Sequence, residues 1–211
     1  MTTQSPAQAW ERMTAGNARF VEGAPEHPHQ DADRRHRLAA AQKPQAVLFG
    51  CSDSRLAAEI IFDMGLGDLF VVRNAGQVTG ESIMGSIEYA VGVLNVPLIV
   101  VLSHDECGAV RAAIDSLGPD SDPLPPHIWR LISPIVPAVQ HELRAAESNT
   151  LENISAENVG RRHLEQTVAQ ILRHSEMISD AVAAGTVGIV GANYRLAEGR
   201  VEQRVAIGIE A

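Results

Sequence analysis

Cysteine is scarce: the chain has 211 residues and only two cysteines, Cys51 and Cys107. Two cysteines cannot staple a protein of this size, so they are expected to be reduced thiols, free for metal or catalysis. Basic residues are in the minority, 17 Lys+Arg against 26 Asp+Glu, a formal net charge of −9. That balance argues against nucleic acid or an anionic membrane as a partner, because both select a basic surface. Long apolar runs are missing too; none approaches the ~18–20 residues that span a bilayer. The opening segment MTTQSPAQAW has neither a basic n-region nor an apolar h-region, so no secretory signal is visible and a cytoplasmic location is expected. What is present suits a globular protein: 45% apolar residues in a length typical of one domain, enough for a full core.

The order of elements is readable along the chain. Ser5-x-x-Gln8 resembles a capping box, and Trp10, Met13, Phe20 and Val21 follow at roughly helical spacing. This predicts an N-terminal helix, then a polar loop over 23–30 and a second helical stretch over about 31–41 that ends before Pro44. Residues 1–42 thus read as a helical arm and 43–211 as the core of a single domain. The arm is expected to have little core of its own to pack on. Ala46–Gly50, Leu69–Val72, Pro97–Leu102 and Val187–Val190 are continuously apolar, the signature of strands buried on both faces. Val201–Ile209 fits an edge strand. Helical stretches around 56–63, 80–94 and 108–117 lie between the early strands. The fold class is therefore α/β, a central, mostly parallel sheet flanked by helices. Residues 118–137 hold six of the eleven prolines and read as a loop with at most a short helix. Residues 157–184 read as one long amphipathic helix.

In an open α/β sheet, ligands bind beyond the carboxyl ends of the strands. After the first strand comes Cys51-Ser-Asp53-Ser-Arg55, after the second Arg73-Asn74-Ala75-Gly76, and after the third Ser103-His104-Asp105-Glu106-Cys107-Gly108. Both cysteines, a histidine and an acid–base pair therefore converge on one sheet edge. Two thiolates and an imidazole suit zinc, which in catalytic sites takes three protein ligands and keeps the fourth position open. His104 and Cys107 are three residues apart at a strand-to-helix turn, where the helix dipole favours a thiolate. A CxxC redox pair is excluded, since the cysteines are 56 positions apart. Asp53 and Arg55, two apart on an extended stretch, can face the same way; either they form a structural ion pair, or the arginine keeps a carboxylate ionised beside a metal. Of the other histidines, His27 and His29 read as solvated loop residues. His36, His141, His163 and His174 read as lying on polar helix faces, and His127 falls in the proline-rich segment.

Taken together, Cys51-Ser-Asp53-Ser-Arg55 and the later His104-x-x-Cys107-Gly108 resemble the β-class carbonic anhydrases, with support from Phe70-Val-Val-Arg-Asn74 and Ser86-Ile-Glu-Tyr89-Ala. The likeness is strong over residues 5–115 and a matter of pattern beyond. It implies one Zn²⁺ per subunit on Cys51, His104 and Cys107, and reversible hydration of carbon dioxide to bicarbonate by zinc-bound hydroxide. It implies Asp53 and Arg55 as a catalytic dyad, with Asp53 also a zinc ligand in a closed state. Gln42, nine positions before Cys51, would bond the substrate, and the Gly108 amide would help hold bicarbonate. Phe70, Ala75 and Tyr89 would wall an apolar pocket at a subunit interface, in a homodimer or homotetramer. One subgroup carries a tryptophan three residues before the first cysteine as part of an inhibitory bicarbonate pocket; Leu48 stands there, so this chain resembles the type without it. Two alternatives stay open: hydrolysis of carbonyl sulfide or carbon disulfide on the same scaffold, and a zinc protein without catalysis.

Overall fold

The computed structural model describes residues 4–119, 121–145 and 150–209. A five-stranded sheet forms the centre: β1 (Ala46–Cys51), β2 (Leu69–Asn74), β3 (Leu98–His104), β4 (Gly188–Tyr194) and β5 (Val201–Ile207), in the order β2-β1-β3-β4-β5. The first four run parallel and β5 joins β4 antiparallel, with a register shift at Gly191/Ala192. Every residue of β1 and β3 is buried, as their unbroken apolar runs predict. β2 departs from that expectation: only Val72 is fully buried, because β2 is a sheet edge.

Alternate side chains of the central strands feed two cores. Ala46, Leu48, Leu98, Val100, Leu102, Val190 and Ala192 face one side. Val47, Phe49, Ile99, Val101 and Ile189 face the other. The first side is covered by α1 (Pro6–Val21), α3 (Ala58–Ile61), α5 (Gly108–Asp115), α6 (Pro126–Ile132) and α7 (Val136–Ala145); the second by α4 (Glu81–Gly92), α8 (Ala156–His174) and α9 (Glu176–Ala183). Among the described residues no helix is long and apolar enough to cross a membrane.

Helix α1 starts where expected. The Ser5 hydroxyl accepts from Gln8 N–H (3.2 Å), and the Gln8 side chain accepts from Ser5 N–H (3.0 Å), a complete capping box with Pro6 in the first turn. The expectation that it has little core to pack on fails. Ala9, Trp10 and Met13 are buried in the first core, and Trp10 meets Phe62 edge-on at 6.3 Å. Trp10 Nε1 donates to Gln203 Oε1 (2.6 Å), and the Asn17 side chain binds the carbonyls of Ile61 and Gly199 and the amide of Val201. A Cβ on Gly16 would lie 1.9 Å from the Phe62 carbonyl oxygen, so only glycine lets the helix come this close. The short α2 (Ala32–Leu38) buries nothing itself and is held through Arg34, which bonds Asp68 (3.1 Å) and the Leu66 carbonyl (2.9 Å). His29, expected in solvent, joins the same Asp68 carboxylate at 2.7 Å.

Two further expectations are corrected. The proline-rich stretch ends in α6, a 3₁₀ turn over Ser133–Ile135, and α7. Its prolines at helix entries cost no internal hydrogen bond there, since a first-turn N–H has no intrahelical partner. The long C-terminal helix is two: Ser175 turns extended (φ −131°, ψ 103°), caps α9 by accepting from Ile178 N–H (3.3 Å), and donates to Glu88 on α4 (2.7 Å).

Candidate metal centre

The strand order reverses at β1, with β2 on one side and β3 on the other, the switch point where open α/β sheets bind ligands. Cys51 ends β1 and His104 ends β3; Cys107 caps the start of α5, two residues after Asp105. Their ligating atoms all lie within 4.8 Å of one another, a span comparable to twice a zinc–ligand bond of ~2.0–2.3 Å. All three side chains are buried and neither cysteine is in a disulfide. His104 Nδ1 donates to the Asp105 carbonyl at 2.7 Å, which leaves Nε2 as the lone-pair nitrogen. Among the described residues that Nε2, a buried polar atom, has no hydrogen-bond partner. A soft donor pair plus an orphaned, correctly tautomerised imidazole fits zinc.

The sulfurs are electronically unequal. A hydrogen bond from the Cys107 thiol brings Cys51 down to about 4 against the opposing effect of burial, and the Gly76 amide assists at 3.3 Å. The same bond, burial and the Cys51 charge push Cys107 up. A zinc ion would take both sulfurs as thiolates.

Asp53 and Arg55 do not share an extended stretch, as the spacing suggests, but a turn. Leu56 N–H closes it on the Asp53 carbonyl (3.0 Å), while Asp53 Oδ1 accepts Arg55 N–H (2.9 Å). The guanidinium then grips the carboxylate with both arms, Nε to Oδ1 at 2.9 Å and Nη2 to Oδ2 at 2.7 Å. Arg55 holds the Asp53 carboxyl well below the usual carboxylate range, its side-chain bond outweighing burial. Asp53 Oδ2 stands 4.0 Å from His104 Nε2, so the carboxylate borders the cluster.

Sequence reasoning missed what holds the loop. Arg73 donates from Nε to the Cys51 carbonyl (2.9 Å) and from Nη2 to the Asp53 carbonyl (2.7 Å). Asn74 folds the next turn by bonding the amide and carbonyl of Val78 (2.9 and 2.7 Å). That turn delivers Gly76 N–H to Cys51. An arginine and an asparagine closing a strand were visible signals; their carbonyl targets were not. His163, expected on a polar helix face, is buried against this turn.

The carbonic anhydrase family model matches residues 46–201. The chain belongs to the β-class carbonic anhydrase family. This β-class carbonic anhydrase is 48% identical over 208 residues to carbonic anhydrase 2 of Mycobacterium tuberculosis, covering 99% of this chain and 97% of that one. It is also 48% identical over 209 residues to the carbonic anhydrase of Mycolicibacterium smegmatis, covering 99% and 98%. Its fold matches the β-carbonic anhydrases of Sordaria macrospora, described as tetrameric, at TM-score 0.70 and 24% identity over 93% of this chain and 97% of that one. Cys51, His104 and Cys107 form the metal-ligand cluster typical of β-class zinc sites.

The remaining expected site residues lie at different levels of the sheet. Gly108 opens α5 beside Cys107, and Ala75 is exposed directly after β2. Phe70 pairs with Val47, four residues below the level where Asn74 pairs with Cys51, a drop of ~13 Å at ~3.3 Å per residue. Tyr89 is exposed on α4 with its ring 6.1 Å from that of Phe70. Gln42 is exposed ahead of the amino end of β1, while Cys51 is at its carboxyl end.

Proposed function

We propose that this chain hydrates carbon dioxide reversibly to bicarbonate at the Cys51–His104–Cys107 zinc centre, with Asp53 and Arg55 as its catalytic dyad. The observation that carries the reading is the cluster itself: two thiols and an unpartnered imidazole nitrogen at the switch point, bordered by an arginine-clamped carboxylate. Zinc bound there supplies Lewis acidity, which makes water a nucleophile near neutral pH. Asp53 Oδ2 stays ionised under Arg55 and serves as hydrogen-bond acceptor for the attacking water, fixing its lone pair toward the carbon of CO₂. Arg55 also donates to the Glu106 carbonyl (3.3 Å), so one guanidinium orients both the carboxylate and the loop carrying Cys107. The Gly108 amide, at the start of α5, holds a bicarbonate oxygen.

Gln42, Phe70 and Tyr89 reach a zinc cluster only from a second copy of the chain, given their distance from their own. The working unit is therefore a homodimer or a homotetramer of dimers, with Phe70, Ala75 and Tyr89 walling the apolar CO₂ pocket and Gln42 bonding the substrate. We place it in the cytoplasm, where its thiols stay reduced. The deciding experiment is zinc content measured beside stopped-flow CO₂ hydration, with carbonyl sulfide and carbon disulfide run in parallel. One zinc per chain with fast hydration of CO₂ is expected; faster turnover of the sulfur compounds, or bound zinc without turnover, contradicts the proposal.

A further inference from the structure

His163 stands on α8 and is 2% exposed, yet it takes no part in the chemistry above. Its Nε2 lies 2.8 Å from the Gly76 carbonyl oxygen. A carbonyl can only accept, so Nε2 carries the proton and donates. Burial lowers the pKa of His163, which keeps the ring neutral. The amide of the same residue, Gly76, donates to Cys51 Sγ at 3.3 Å. His163 and a zinc ligand, Cys51, therefore meet on the backbone of one residue, Gly76, whose carbonyl and N–H belong to successive peptide groups joined at its Cα.

The turn is built so that this junction has one geometry. Gly76 has φ +82°, and a Cβ there would lie 2.8 Å from Ala109 Cβ and 3.1 Å from Ile135 Cδ1. No side chain of its own can hold the peptide in place. Thr167, one turn further along α8, adds a long bond to the next carbonyl, Gln77 (3.5 Å). An N–H···S bond stabilises a thiolate and sets the direction of its lone pairs, and outer-layer partners of this kind govern how tightly a metal is kept.

We infer that His163 is a positioning residue: by holding the Gly76 carbonyl it fixes the backbone rotation at Gly76, and with it the Gly76 N–H that orients the Cys51 thiolate, and so controls zinc retention. The inference rests on the zinc-centre reading above. Its test is the rate at which zinc leaves the intact protein for a chromophoric chelator in excess, with the near-ultraviolet thiolate-to-cobalt band of the cobalt-substituted protein as second readout. His163→Gln can place an amide N–H where the ring Nε2 stood; His163→Asn falls short of the carbonyl. Expected are roughly tenfold or faster zinc loss and a shifted cobalt band in His163→Asn, with both near wild type in His163→Gln. Val168→Ala, a core truncation on the same helix, serves as control for loosened packing. Equal rates in wild type and His163→Asn, equally fast loss in Val168→Ala, or no rescue by Gln overturns the inference. Should His163→Asn not fold, His163→Gln decides: wild-type retention supports the positioning role and tenfold faster loss overturns it. Wild-type protein that binds no zinc overturns the function reading instead, so the two failures are distinct.

Discussion

Asp53 is the residue on which the proposed chemistry can be separated from metal binding. It touches Arg55 with both carboxylate oxygens and borders the cluster without being one of its three members. Asp53→Ala is expected to cut kcat/KM for CO₂ hydration about a hundredfold or more while zinc content stays at one per chain. Stopped-flow assay beside metal analysis reads both, and unchanged hydration contradicts the dyad. Cys107→Ser should instead lose zinc along with activity, since a hydroxyl is a poor substitute for a soft donor. At this scale the sequence was informative where chemistry is concentrated in rare residue types: two cysteines, and a histidine three positions from one of them, all at the carboxyl edge of the sheet. It was uninformative where a side chain acts on backbone. Arg73 bonds two carbonyls and His163 a third, and a carbonyl leaves no trace in residue identity. His163 looked polar-faced because the pattern of α8 was read alone, without the turn packed against it.

Elements were legible to the extent that their signals are local. The capping box of α1 and the buried runs of β1 and β3 follow from short stretches of sequence. The break at Ser175 was missed because it depends on Glu88, a contact 87 residues away. The docking of α1 was missed for the same reason, since Phe62, Gln203 and Gly199 lie far along the chain. Trp10→Ala should destabilise the protein by about 3 kcal/mol, by loss of buried ring area and of its bond to Gln203, measured by denaturant unfolding. Asp63 fastens the segment after α1: its carboxylate accepts from Arg19 Nε (2.6 Å) and from the amides of Glu26 and His27 (both 2.9 Å). Burial pushes its pKa up, but these donors together hold it below the ordinary 3.8. Because the folded-state value is depressed, the contribution is full above pH ~4 and fades as the pH falls through that lowered value. Asp63→Asn should therefore lower the melting temperature at neutral pH, and the gap to wild type should close in acid. A gap that persists unchanged at pH 3 and below contradicts this.

The whole molecule has its zinc cluster at one end of the sheet and Gln42, with the Phe70–Tyr89 ring pair, nearer the other. A single copy cannot bring them together. Light scattering at micromolar concentration should accordingly return a dimer or larger, and a monomer with full hydration activity contradicts the shared site. The parallel core, the arm's helices and the place of the cluster could be read from sequence pattern, whereas assembly was expected through the family resemblance, and the reason for it, the distance between residues that all sit in one motif-bearing half, needed the fold.

The switch point has a mechanical side as well. Its donors come from the ends of two strands and from the helix start that follows the second, more than fifty residues of chain apart, so one bound ion ties Cys51 to His104 and Cys107 as a crosslink would. A tether of that reach removes conformational freedom from the denatured chain, and the protein carrying zinc should outlast its chelated form on heating. Losing the ion would then loosen the seam between the two central strands, and metal starvation would reach the enzyme first as a fragile protein and only second as a slow one.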